Sequence, residues 1–125
     1  MTLPSTQDLD ILESEIYLPM LLIIFERDNH AIEVSQVKFK RPYLLLIKAA
    51  MNMVKLELIA THKYMENNNL QVIRGRRDEL FTEFIFLVQG KEDTRKYSNI
   101  RLRNHVEELL VNYYSKVVLL SGAQQ

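Results

Sequence analysis

Leu70-Gln71-Val72-Ile73-Arg74, a polar turn Gly75-Arg76-Arg77-Asp78-Glu79, then Phe81-Thr82-Glu83-Phe84-Ile85-Phe86-Leu87-Val88: the fold turns on this stretch. Both flanking runs are rich in β-branched and aromatic residues, which suit a pleated, half-buried surface. Two such runs around a polar, glycine-bearing turn predict an antiparallel β-hairpin over about 70–88. The strand period of two puts Thr82, Phe84, Phe86 and Val88 on one face. Phe81, Glu83, Ile85 and Leu87 fall on the other. Both faces are largely apolar, so helix is expected over one and a second cover over the other.

Outward from the hairpin the period becomes helical. Upstream, Pro42 opens a helix reaching about Glu66, with Leu44, Ile47, Met51, Val54 and Leu58 three and four residues apart. A second stripe, Leu45, Ala49, Leu56 and Ala60, lies on another face of the same helix. A helix apolar on two faces is central in its domain or lies at an interface. Asn67-Asn68-Asn69 ends it, because Asn tolerates the left-handed conformation of a helix C-terminus.

Further upstream, Ser5 and Thr6 are capping types, and Leu9, Leu12 and Ile16 have helical spacing. Pro19 lacks an amide proton, so a kink or restart is expected there. The second segment runs to about Val34 with Met20, Ile24, Ala31 and Val34 inward. Downstream, Gln89-Gly90-Lys91-Glu92-Asp93 reads as a loop. A last helix is expected from about Thr94, turning Ile100, Val106, Leu109, Leu110, Tyr113, Val117 and Leu120 inward. The predicted architecture is mainly α with a minor antiparallel β-hairpin (α+β): kinked helix, long central helix, hairpin, C-terminal helix. It forms a single helical domain over 1–125.

At 125 residues with 47% hydrophobic and 26% charged side chains, the composition is that of one globular domain. The chain has no cysteine, which excludes thiol catalysis, Cys-ligated zinc and iron–sulfur clusters. The apolar run from Ile16 to Phe25 is too short to span a bilayer, and Lys48, Asn52, Lys55 and Glu57 interrupt the longer one. No basic residue precedes Arg27, so no export signal is visible. The expectation is a cytoplasmic protein without membrane contact. Formal net charge is zero, but residues 1–37 carry seven acidic side chains against Arg27 alone, a balance of −6. The remainder holds fifteen basic against nine acidic residues, a balance of +6. This asymmetry fits either a basic working face or an acidic segment docked on a basic body.

Arg74, Arg76 and Arg77 at the hairpin turn form the densest basic cluster, and Arg101 and Arg103 lie early in the last helix, with Lys91, Arg95 and Lys96 just before it. Arginine forks grip phosphate bidentately, which makes Arg74, Arg76, Arg77, Arg101 and Arg103 the candidate nucleic-acid contacts. The sequence pI of about 6.8 and the interspersed Asp78, Glu79, Glu92 and Asp93 count against that use. Glu26, His30 and Glu33, and His62 with Glu66, recur at helical intervals. The chain nevertheless lacks the Glu-x-x-His pairing of bundle metal sites. No nucleophile elbow or glycine-rich phosphate loop appears. The expectation is no catalytic site, no metal and no cofactor. Glu83 stands in an apolar strand, where a buried carboxylate needs a partner. Solvation at an edge is the plainer reading; an ion pair with Arg101 or Arg103 that locks hairpin to helix is the sharper one.

Leu18-Pro19-Met20, Glu26-Arg27-Asp28, Val72-Ile73-Arg74-Gly75, Thr82-Glu83-Phe84 and Arg101-Leu102-Arg103-Asn104 together resemble the small YhjD-type proteins of Bacillus and its relatives. The resemblance covers most of the chain and implies a bacterial cytoplasmic accessory protein. It carries over no catalytic or binding residue. On the residues alone, the leading expectation is a non-enzymatic protein–protein interaction module, binding a partner or itself as a homodimer. Its interface would be Leu45, Ala49, Leu56 and Ala60. The alternative is a nucleic-acid-binding regulator using the basic hairpin and the start of the last helix.

Overall fold

In the computed structural model, which describes residues 4–123, Ser5 starts the first helix through a reciprocal capping box. Its hydroxyl accepts from the Asp8 amide at 3.0 Å, and the Asp8 carboxylate accepts from the Ser5 amide at 3.2 Å. Helix α1 then runs unbroken from Thr6–Glu33, with Pro19 inside it. The expected restart does not occur. One continuous helix keeps one register, so Leu12, Ile16, Leu18, Leu21 and Phe25 are buried, while Ala31 and Val34 are exposed.

Helix α2 spans Arg41–Asn67, with Pro42 in its first turn, where a missing amide proton costs nothing. Ile47, Val54 and Met65 are buried on it, with Leu44, Met51 and Leu58 half-buried, as the three–four spacing predicts. Its end meets the expectation for asparagine: Asn69 adopts the left-handed conformation at φ 51°.

Three strands follow rather than two. β1 (Leu70–Arg77), β2 (Phe81–Val88) and β3 (Lys91–Ser98) form an antiparallel meander in the order β1-β2-β3. The predicted hairpin is therefore present and extended by a strand where a loop and a helix start were expected. Gln89 and Gly90, at φ 52° and 83°, make the two-residue turn between β2 and β3. Two successive positive φ values match the right-handed twist of a tight hairpin, and glycine adopts one at no steric cost. Every β2 residue from Phe81 to Val88 has a partner on β3. Helix α3, Asn99–Ala123, accordingly starts later than Thr94, and the Ser98 hydroxyl caps it by accepting from the Arg101 amide at 3.0 Å.

The helices cover one face of the sheet. Thr82, Phe84, Phe86 and Val88 are buried there, the face predicted from their period. The opposite face stays open: Phe81 is exposed, and Glu83, Ile85 and Leu87 are half-buried. No second cover exists among the described residues. One core joins Leu12, Ile16, Leu21 and Phe25 of α1 to Ile47, Ala50 and Val54 of α2, Phe86 of β2 and Tyr97 of β3. Leu102, Val106 and Tyr113 fix α3 to it, whereas Ile100 and Leu120, expected inward, are exposed. With α3 starting at Asn99, its inward face falls on Leu102 instead of Ile100.

Candidate functional site

The outer face of α2 lies opposite Ala50, Val54 and Thr61, which point into the core. Its apolar stripe is in the open. Leu45 and Leu56 are 55% and 69% exposed, Ala49 is half-buried and Ala60 is exposed. Ile59, absent from the predicted stripe, is 66% exposed and continues it. Leu45, Ala49, Asn52, Leu56, Ile59 and Lys63 alternate four and three residues apart, the seam spacing of one helix laid along another. Extending the sequence stripe by alternating steps of three and four would have found Ile59.

The five arginines are all exposed and stand in different surroundings. Arg74 shares a hollow with Glu15, Met20 and Ile23 of α1, on the helix side of the sheet. Arg76 and Arg77 stand exposed at the turn. Asn99 ties that turn to α3: its amide donates to the Asp78 carbonyl at 2.9 Å, and its carbonyl accepts from the buried Thr82 hydroxyl at 2.7 Å. The Asp78 carboxylate accepts from the amides of Phe81 and Leu80, which hold its pKa below the ordinary value, and Lys96 and Arg76 add to the effect. Arg101 lines a different feature, a groove of about 750 Å³ between α1, α2 and α3.

That groove escapes sequence reasoning, because its residues meet only through the tertiary fold. Asp10, Glu13, Glu57 and Glu108 line it with Arg101, His105, Tyr17 and Tyr113. The Tyr113 hydroxyl donates to the Glu57 carboxylate across 56 positions of sequence. Burial first, then the Glu57 hydrogen bond and charge, push the Tyr113 phenol well above its usual range. His105 meets the Tyr17 ring edge-on at 4.4 Å. These carboxylates read as solvated helix faces in the sequence, and no local spacing pairs them.

Glu83 takes a different partner from either expected arginine. Its carboxylate lies 3.8 Å from Lys96 of β3, its register neighbour, and the two side chains are 26% and 64% exposed. The expected ion pair with Arg101 or Arg103 is absent from the described contacts. Glu83 belongs to the open face of the sheet, and α3 lies on the covered one. The lock between hairpin and α3 is neutral instead, made by Asn99. His62, weighed as a metal ligand with Glu66, is 2.6 Å from Glu15 of α1. Among the described residues no group of three or more His, Asp or Glu is placed to hold a metal, and no helix is long and apolar enough to cross a membrane.

No solved structure matches the chain. A curated protein of Bacillus subtilis (strain 168), named "Uncharacterized protein YhjD", is 36% identical over 104 residues, covering 83% of this chain and 87% of that protein. The family model described as YhjD protein matches residues 3–118. With nearly the whole chain matched on both counts, the chain belongs to the YhjD protein family.

Proposed function

We propose that this chain is a non-enzymatic interaction module that receives a helix of a protein partner on the outer face of α2. One observation carries the reading: Leu45, Leu56 and Ile59 are more than half exposed on a helix whose opposite face already fills the core. Exposed apolar side chains scattered singly are ordinary, whereas Leu56 and Ile59 stand one turn apart and share their face with Ala49 and Leu45 beyond Asn52. Fully burying a leucine side chain contributes roughly 1.5–3 kcal/mol, and each of Leu45, Leu56 and Ile59 has more than half of its surface left to cover, so together they anchor a helix laid along the face. Leu56→Glu tests the reading. The variant keeps its helical circular dichroism, because Leu56 touches solvent, and it no longer captures the protein that the wild type retains from a bacterial extract. Identical capture by both forms rejects the α2 face. Sedimentation at micromolar concentration asks separately whether a second copy is the occupant.

A second reading has its own support. Asn99 holds the hairpin turn that carries Arg76 and Arg77 to the start of α3, the helix that carries Arg103. Duplex DNA held there would dissociate steeply with salt, with a log–log slope of about −0.9 per phosphate. Replacing Arg76 and Arg77 by Ala would flatten that slope by about two units if each arginine meets one phosphate. Absence of binding at low salt dismisses this reading.

A further inference from the structure

The charges beside the α2 seam carry information about its occupant. On one flank, Lys48, Lys55 and His62 follow one another at intervals of seven. On the other flank stand Leu46, Met53 and Ala60, without charge. Lys63 closes the seam itself. Lys48, Lys55 and Lys63 are exposed and make no hydrogen bond or ion pair among the described residues, while His62 is held by Glu15. Glu26 and Glu33 of α1 line the far wall of the neighbouring groove, beyond Lys48 and Lys55, without closing an ion pair to either.

A second copy fits this pattern poorly in both directions. Antiparallel pairing about Asn52 sets Leu45 against Ile59 and Ala49 against Leu56, which suits packing. It also aligns like flanks, so that Lys48 stands beside Lys55 of the second copy. Parallel pairing stacks Lys63 on Lys63 within the seam. Like charges brought together in an interface suppress that partner and favour the opposite sign.

We propose that the occupant is an amphipathic helix of another protein whose apolar stripe is flanked by Asp or Glu. This rests on the preceding reading that α2 receives a partner. Carboxylates on the partner would meet Lys48, Lys55 and Lys63, while its apolar row covers Leu45, Leu56 and Ile59.

The test titrates the full chain against two labelled three-heptad peptides, both with Leu at the seam positions. One carries Glu at its flanks and the other Lys. Anisotropy should show the Glu peptide binding about tenfold more tightly, the sum of a few partly exposed charge pairs. The preference should shrink with added salt. Lys48→Glu combined with Lys55→Glu, folded by circular dichroism, should erase or reverse it, and Leu56→Glu should weaken both peptides. Equal binding of the two peptides, or binding of neither, overturns the proposal. So does a wild type that sediments as a dimer dissociated by Leu56→Glu, which leaves the α2 face standing as an interface. Peptide binding untouched by Leu56→Glu overturns this proposal and the interaction face together.

Discussion

Glu83 faces the ammonium of Lys96 on one side and the bare backbone of Gly75 on the other. A Cβ on Gly75 would come within 3.1 Å of the Glu83 Cβ, so glycine is what lets the strands close beside this carboxylate. The Lys96 partner is 64% exposed, and a pair this open is screened by water. Glu83→Ala should therefore cost less than about 1 kcal/mol. Double-mutant cycles by denaturant unfolding should find coupling of a few tenths to about 1 kcal/mol with Lys96 and none with Arg101 or Arg103. Coupling to either arginine would restore the hairpin-to-helix ion pair. Sequence could flag Glu83 as a charge needing an explanation. It could not choose the partner, because the partner sits on a strand that the apolar pattern does not reveal.

Among the elements, what was legible followed apolar periodicity. The faces of β2, the core stripe of α2 and the asparagine stop were readable because each places large apolar or left-handed-tolerant residues at fixed intervals. β3 was not. Lys91-Glu92-Asp93-Thr94-Arg95-Lys96-Tyr97-Ser98 buries only Tyr97, and its order comes from backbone pairing with β2. The signal available was Gln89-Gly90, a two-residue turn disguised as the start of a polar loop. Pro19 misled in the opposite sense. Tertiary burial of Leu18 and Leu21 beside it outweighs one lost helical hydrogen bond. The junction of hairpin and α3 offers the sharpest check at this scale. Asn99→Ala removes the acceptor of the hydroxyl of Thr82, a residue 1% exposed, and a stranded buried donor costs about 1–3 kcal/mol. Denaturant unfolding should show a loss of about 2 kcal/mol, part of which Thr82→Val recovers in the double variant. A loss within about 0.5 kcal/mol would mean that Asn99 does not hold the two elements together.

Across the whole molecule, few polar contacts among the described residues join the acidic first segment to the basic remainder. Glu15 reaches His62, and Asp8 accepts from the Tyr64 hydroxyl at 2.9 Å. Tyrosines do more of the joining than ion pairs, and they give the fold an alkaline limit. Burial, followed by nearby carboxylates, raises the phenols of Tyr17, Tyr97, Tyr113 and Tyr114; the Asp8 bond raises that of Tyr64. A raised phenol pKa means that the fold favours the neutral form. The associated stability is complete below the unfolded value near 10 and is lost as pH climbs through the folded values. For Tyr97 that window runs from about 10 to about 12. Near-ultraviolet absorbance of tyrosinate, followed together with circular dichroism, should show these phenols ionising as the helices melt. Phenolate from all five near pH 10, with the fold intact, would contradict it.

A meander of order β1-β2-β3 leaves an unpaired edge on each outer strand, and such edges invite pairing with another molecule's strand. Here the register slips between Arg74 and Arg77, which interrupts one edge just where arginines crowd it. The other edge presents Lys91, Glu92, Asp93, Arg95 and Lys96. A strand so charged can complete its own sheet while making a poor template for a neighbour's, because pairing a second strand there would desolvate its charged side chains. The polarity that hides β3 in the sequence is thus the same property that keeps the sheet from growing into an aggregate.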